Sequence, residues 1–353
     1  MATRSVLLRA KVITGSVIVA LTATVTGLAA CGSAGQPAAS GPVTLRLGYF
    51  PNLTHATPIV GVKKGFFSQA LGKDVKIELK AFNAGPEAVE ALFSGAIDAT
   101  YVGPNPTVNA WQKSKGKAIK VVAGAASGGV AFVVRPTING PADLKGKKLA
   151  TPQLGNTQDV ALRYWLQQHG LKATKEGGGD VTIVPQANAD TVTAWGSGAI
   201  DGAWVPEPTA SRLVATGGKV LVDERDLWPA GKFVITNLIV DQKFLGQHRS
   251  VVKNLIAGQV AANEFINANP GEAQQIVNAA IGEVSGKAPD AKQTATAWQT
   301  LTFLNDPIPP SLRDGAKHAE EIGLLQPVDL AGIYDLSLLN EVLKAKGAAE
   351  VRS

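Results

Sequence analysis

The sequence predicts an α/β protein of two lobes built to one plan, with a cleft between them. Three observations predict it. A motif recurs: Ser94-Gly95-Ala96-Ile97-Asp98 returns as Ser197-Gly198-Ala199-Ile200-Asp201, 103 residues on. Tyr101-Val102 then corresponds to Trp204-Val205, and Pro106-Thr107 to Pro208-Thr209 after one deleted residue. Strand and helix patterns alternate in the same order before and after the midpoint, which implies largely parallel sheets covered by helices. Two β-branched stretches, Gly128–Pro136 and Gly231–Asp241, lack helical period and are placed to cross between the lobes.

Each element has its own signal. Val43–Phe50 alternates apolar and polar residues and turns at Pro51-Asn52, as a strand does. Residues 55–67 read as a helix ending at Gly65, and Val75–Phe82 as the next strand. Pro86–Gly95 has proline in its first turn and glycine past its end, the polarity of a helix. Asp98–Val102 is a short buried strand, followed by a helix over 104–116 and a strand over 118–126. The second half repeats this with strand 147–152, helix Asn156–Gly170, strand 181–186, helix 189–198, strand 201–205, helix 206–218 and strand 219–223. After Asp241 the pattern is nearly all helical and packs on the first lobe. The expected division is residues 43–132 with 238–353 for lobe one and 133–237 for lobe two.

The N-terminus has the pattern of an export signal over residues 1–30. Arg4, Arg9 and Lys11 precede an apolar run from Val12 to Ala23, and Leu28-Ala29-Ala30 leads to Cys31. That spacing resembles a bacterial lipobox, so Cys31 is the expected lipidation site. Residues 31–42, rich in Gly, Ala, Ser and Pro, form a flexible tether. The expected location is outside the cytoplasm, anchored to the cell membrane by a lipid. Cys31 is the single cysteine, so the core has no disulfide to support it. The net charge is +6, three charges of it in the first thirty residues. The remaining basic residues are dispersed without aromatic interleaving, a pattern of solvated surface that does not fit nucleic acid.

In open α/β sheets, ligands bind beyond the carboxyl ends of the strands. Those ends carry the candidates: Asn52, Thr54 and His55; Gly103, Asn105 and Thr107; Ser127; then Asn156, Thr157 and Gln158; and Trp204 and Glu207. The loop 153–158 leads into a helix whose first turn offers free N–H groups and the positive dipole end, which bind oxyanions without a lysine. His55 is a donor to such an anion, or a cap. Glu207 suits a cationic ligand group or the start of its own helix. Trp204 and Tyr101 pack in the core or wall the cleft. Arg163, one to two turns into its helix, is expected to form an outward salt bridge; Asp98 and Asp201 are expected to face solvent. Catalysis finds little support: the four histidines share no metal spacing, and no G-x-S-x-G, Walker or dinucleotide loop stands in a suitable context.

The motifs GYFPNLTHA, KKGFF, SGAIDATYVGPNP, LKGKKLATPQLGNTQDVALR and AWVPEPTASRL together resemble the periplasmic-type substrate-binding proteins of the nitrate/sulfonate/taurine class. The resemblance covers Val43 to about Gly347. It implies a type II periplasmic binding protein, a monomer that captures a small anion and delivers it to an ABC permease, with neither cofactor nor metal. An aliphatic sulfonate or taurine-like ligand is expected, its anion at the loops matching Asn156-Thr157 and Asn105-Pro106. Nitrate, bicarbonate and a neutral heterocycle such as a thiamine-precursor pyrimidine are the alternatives within the class. The other class is an enzyme on the same fold; its pyrimidine-synthase branch needs a cysteine-rich iron motif that this chain lacks.

Overall fold

Parallel strands require long crossovers, and here helices supply nearly all of them. The computed structural model describes residues 42–353; the export signal, Cys31 and most of the tether lie outside the described residues. The first half runs β1 (Val43–Tyr49), α1 (Ala56–Lys63), α2 (Phe66–Leu71), β2 (Val75–Ala81), α3 (Gly85–Phe93), β3 (Ala99–Val102), α4 (Pro104–Lys113) and β4 (Ile119–Gly128). The second runs β5 (Val130–Val134), β6 (Lys148–Thr151), α5 (Thr157–Gln168), β7 (Thr182–Pro185), α6 (Asn188–Gly196), β8 (Gly202–Pro206), α7 (Thr209–Ala215) and β9 (Lys219–Asp223). The chain then continues as β10 (Val234–Asp241), α8 (Gln242–Gln247), α9 (Arg249–Ala268), α10 (Pro270–Ser285), α11 (Ala291–Trp298), β11 (Leu301–Phe303), α12 (Pro309–Glu321) and α13 (Ser337–Ala345).

The strands form two sheets, ordered β11-β4-β10-β3-β1-β2 and β7-β6-β8-β5-β9. When β6, β7, β8 and β9 are set against β1, β2, β3 and β4, the two orders coincide apart from β11, which adds an antiparallel edge strand to the first sheet alone. Each sheet has four strands running one way, with one strand inserted antiparallel between its third and fourth. That strand is β10 in the first sheet and β5 in the second. The sheets are therefore mixed rather than largely parallel, because each admits the strand that brings the chain over from the other half. The first passage is made at Gly128–Gly129, at the head of the β-branched stretch expected to cross. The second is made by residues 224–233, so that Val234–Asp241 lies wholly in the first sheet.

The duplicated motif has the same job in both places. Ser94 and Ser197 close α3 and α6, and Gly95 and Gly198 follow in the left-handed region that glycine tolerates. The N–H of Ala96 returns to the carbonyl of Ala91, and that of Ala199 to Ala194, completing matched helix stops. The aspartate then sets strand register. Asp98 donates its N–H to the Arg46 carbonyl while its carboxylate accepts from the Arg46 N–H; Asp201 does the same with Lys148. Asp98 is buried and also pairs with the Arg46 guanidinium, contrary to the expected exposure; Asp201 is half-buried. A parallel strand pair has no hairpin to fix its register, and this clasp serves instead.

On one face of the first sheet, Leu45 and Leu47 pack with Val252, Leu255 and Ile256 of α9. Each such side chain contributes about 1.5–3 kcal/mol when fully buried. In the second lobe Phe132 stacks on Trp204 at 5.3 Å between ring centroids, and Trp165 meets Phe132 edge-on. The C-terminal helices do not serve the first lobe alone. α11, which the sequence pattern did not mark, reaches α7, and α12 packs on both α4 and α5.

Candidate functional site

The loops after β1, β2, β3, β6 and β7 and the last residue of β8 meet around a cavity of about 20 Å³. Its lining includes Phe50, Asn52, Thr54, His55, Asn83, Ala84 and Gly103 from one lobe, and Pro152, Asn156, Thr157, Gln158, Asn188 and Pro206 from the other. Five helices begin at this lining. His55, Ala84, Gly103 and Asn156 are the residues before α1, α3, α4 and α5, and Asn188 is the first residue of α6. None of these helix starts is capped by the side chain that precedes it. The positive ends of five dipoles thus converge where no Lys, Arg, Asp or Glu forms part of the lining.

The polar side chains are held in specific states. The Phe50 N–H donates to His55 Nδ1 at 3.2 Å, so the neutral ring carries its proton on Nε2. Burial pushes the His55 pKa down to about 3, so the ring is neutral at physiological pH. Asn156 Nδ2 donates to Gln158 Oε1 at 2.9 Å. Thr157 Oγ1 and Asn188 Oδ1 are buried without a hydrogen-bond partner. The lobes touch here: a Cβ on Gly103 would stand 2.4 Å from Thr157 Oγ1. The Leu53 N–H donates to the Glu207 carbonyl at 3.1 Å, and Gln153 Nε2 to Glu87 Oε1 at 2.6 Å, both across the cleft.

The loop before α5 is fixed from beneath. Asp159 is fully buried and accepts from Thr151 Oγ1, the Gly155 N–H and Arg163 Nε at 3.0, 2.9 and 3.0 Å. Arg163 is also buried, contrary to the outward position expected, because the Asp159 carboxylate needs a counter-charge inside. The pair cancels its own charge and leaves the helix dipole to act on the cavity.

The structure places seven of the sequence candidates on the cavity: Asn52, Thr54, His55, Gly103, Asn156, Thr157 and Gln158. The others are elsewhere. Asn105 lines an adjoining cavity and donates its amide to the Gly315 carbonyl at 3.0 Å. Thr107 bonds back to the Gly103 carbonyl within α4. Ser127 lies at a wider opening beside Arg225 and Trp228, where its hydroxyl accepts from the Phe233 N–H. Trp204 is sealed in the core, its indole N–H on Glu224 at 2.7 Å. Glu207 turns its carboxylate onto the N–H and hydroxyl of Ser211, so it serves the start of α7. Burial raises its pKa, and the Ser211 bonds oppose the rise. Tyr101 is fully buried. Asn83, Asn188 and Glu224 went unread in the sequence. The first two sit at positions equivalent to Asn52 and Asn156 after neighbouring strands, so the strand-end rule applied to every strand would have found them.

Among the described residues no group of three or more His, Cys, Asp or Glu side chains is placed to hold a metal, and no helix is long and apolar enough to cross a membrane. The two matching mixed sheets and the polar cleft between them define the periplasmic-binding-protein fold. Solved structures share it. The alkanesulfonate-binding protein SsuA from Xanthomonas axonopodis pv. citri, bound to MOPS, superposes with a TM-score of 0.69 at 20% identity, covering 84% of this chain and 99% of that one. The periplasmic nitrate-binding protein NrtA from Synechocystis PCC 6803 gives 0.72 at 16% identity, covering 87% and 89%. The chain belongs to the NMT1-like family, whose model matches residues 38–281. A taurine-binding periplasmic protein of Escherichia coli (strain K12) is 30% identical over 197 residues. That match covers 55% of this chain and 58% of the relative, less than two thirds of its length.

Proposed function

We propose that this protein is the extracytoplasmic solute-binding component of an ABC importer and that it captures an aliphatic sulfonate or taurine-like anion. The observation that carries the reading is the convergence of five uncapped helix starts on a cavity lined by neutral polar groups. A sulfonate stays ionised across physiological pH and only accepts hydrogen bonds. Backbone N–H groups, Asn amides and His55 Nε2–H answer that requirement, and no acidic side chain on the lining opposes it. The taurine-binding relative and the sulfonate-binding structure support the same class. In this reading the ligand bridges the lobes, a permease receives it, and a lipid on Cys31 holds the protein at the membrane surface. The role is binding rather than catalysis.

The cavity is small, about 20 Å³, which favours nitrate as a second reading, and the nitrate-binding structural neighbour shares the fold. A thermal-shift screen of ethanesulfonate, taurine, nitrate, bicarbonate and a pyrimidine decides between them, because a ligand selective for the folded state raises its midpoint by mass action. A shift with the sulfonates and none with nitrate is the expected result. A shift with the pyrimidine alone overturns the anion reading.

A further inference from the structure

Thr157 lines a second cavity as well, also of about 20 Å³, whose chemistry is opposite to the first. Glu224, Trp228, Phe233, His318 and Asn105 form its working walls. Glu224 is fully buried, on the segment that returns the chain to the first sheet, and its carboxylate accepts the Trp204 indole N–H. Trp228 stacks on Phe233 at 5.5 Å and stands 5.5 Å from His318, which itself stacks on Tyr164 of α5 at 3.8 Å. Asn105 has its amide engaged with Gly315, which leaves Oδ1 as an acceptor. Thr157 Oγ1 is buried and unpartnered. No Lys or Arg belongs to the lining, and burial lowers the His318 pKa, which favours the uncharged ring.

A buried carboxylate, two neutral acceptors and aromatic faces are the surroundings of an ammonium group. The first cavity offers donors and helix dipoles, and Thr157 is common to both. We propose that the second cavity takes the ammonium of a short aminosulfonate whose sulfonate occupies the first, so that Glu224 and Trp228 select a zwitterion over a plain alkanesulfonate. The inference rests on the anion reading above and deepens it. It also moves the cation partner from Glu207, which is engaged with Ser211, to Glu224.

Titration calorimetry on the full chain with taurine and with ethanesulfonate tests it. The wild type is expected to bind taurine more tightly, by roughly tenfold to a hundredfold, the range of a charge-assisted hydrogen bond. Glu224→Gln keeps an acceptor for the Trp204 indole and should bring the two affinities together. Trp228→Leu, at a half-buried position on the edge of the core where leucine keeps an apolar contact with Phe233, should narrow the ratio in the same direction and covers the case in which the first variant misfolds. If the wild type binds ethanesulfonate as tightly as taurine, or if both folded variants keep the wild-type ratio, the second cavity is not an ammonium site and the anion reading stands. If the wild type binds neither compound, the sulfonate reading falls, and this inference with it.

Discussion

Gly103→Ala tests whether the loops close on the ligand at the separation described. Gly103 has φ −69°, which alanine adopts without strain, so the substitution perturbs only space. Its new Cβ would lie 2.4 Å from Thr157 Oγ1 and 3.5 Å from Thr157 Cβ. Ordinary contact begins near 3.4 Å, so the overlap is about 1 Å, and it lies across the two lobes. Turning Thr157 one way carries its methyl into the space the hydroxyl leaves, and turning it the other way, hydrogen inward, displaces both heavy substituents of a buried side chain. Either the side chain is forced over or the lobes part, at a cost of about 1–3 kcal/mol for overpacking. Ligand dissociation constants should then rise roughly fivefold to 150-fold. The thermal midpoint without ligand should stay near that of the wild type, since each lobe keeps its own core. Calorimetry on Gly103→Ala, Thr157→Ala and the double variant checks the cause: removing Oγ1 should recover part of the loss, giving a non-additive cycle. Wild-type affinity in Gly103→Ala, or strict additivity in the cycle, refutes the enclosure argument.

Thr157→Asp places a charge at the start of α5, where the fold accepts it and a bound anion does not; at an effective dielectric near 20 the repulsion weakens sulfonate binding by roughly tenfold to a thousandfold, read by calorimetry. Glu207→Gln keeps an acceptor for the Ser211 N–H and should leave the taurine-to-ethanesulfonate affinity ratio as in the wild type. Two buried groups give opposite pH slopes in chemical denaturation. His55, lowered to about 3 from 6.5, costs stability as pH falls below 6.5, because only the unfolded chain takes up the proton; the loss is roughly 1 kcal/mol per pH unit down to about 3, and His55→Gln should remove it. Glu224, raised to about 7 from 4.5 by burial, costs stability as pH rises from 4.5 through 7, so Glu224→Gln should gain on the wild type at pH 8 relative to pH 5. Cys31→Ser should move the protein from the membrane fraction to the soluble fraction with its thermal transition intact; retention in the membrane fraction counts against the lipid anchor.

The plan of two matched halves was legible because the repeated motif joins a helix stop to a strand start, and both leave local marks in sequence. The strand ends were legible for the same reason, and they located half of the cavity lining. Asp98 was misread because an aspartate opening a strand looks solvent-exposed until the neighbouring strand brings Arg46 beside it. Arg163 was misread because a charge at that position faces out unless a buried acid sits one turn away, and Asp159 does. The antiparallel insertion of β5 and β10 has no local signature: β-branched runs tell of strands, and pairing partners 68 to 141 residues distant decide direction. Glu224 and His318 meet only because α12 folds back on α5, which no periodicity in either segment announces.

The insertion of β10 between β3 and β4 bears on how the polypeptide matures. A nascent chain that has emerged only as far as β9 holds all four forward strands of its first sheet, yet the two central ones have no partner for the edges they turn to each other. The gap is filled only when residues 234–241 arrive, and joining them to β4 closes a loop of more than a hundred residues. Long-range pairing of this kind folds slowly. A ribosome-bound chain therefore stays unfinished until most of its length has been made. Cutting the gene after β9 should likewise yield a product in which β4 lacks both its sheet neighbours and β3 lacks one, with a tendency to aggregate, not a working half.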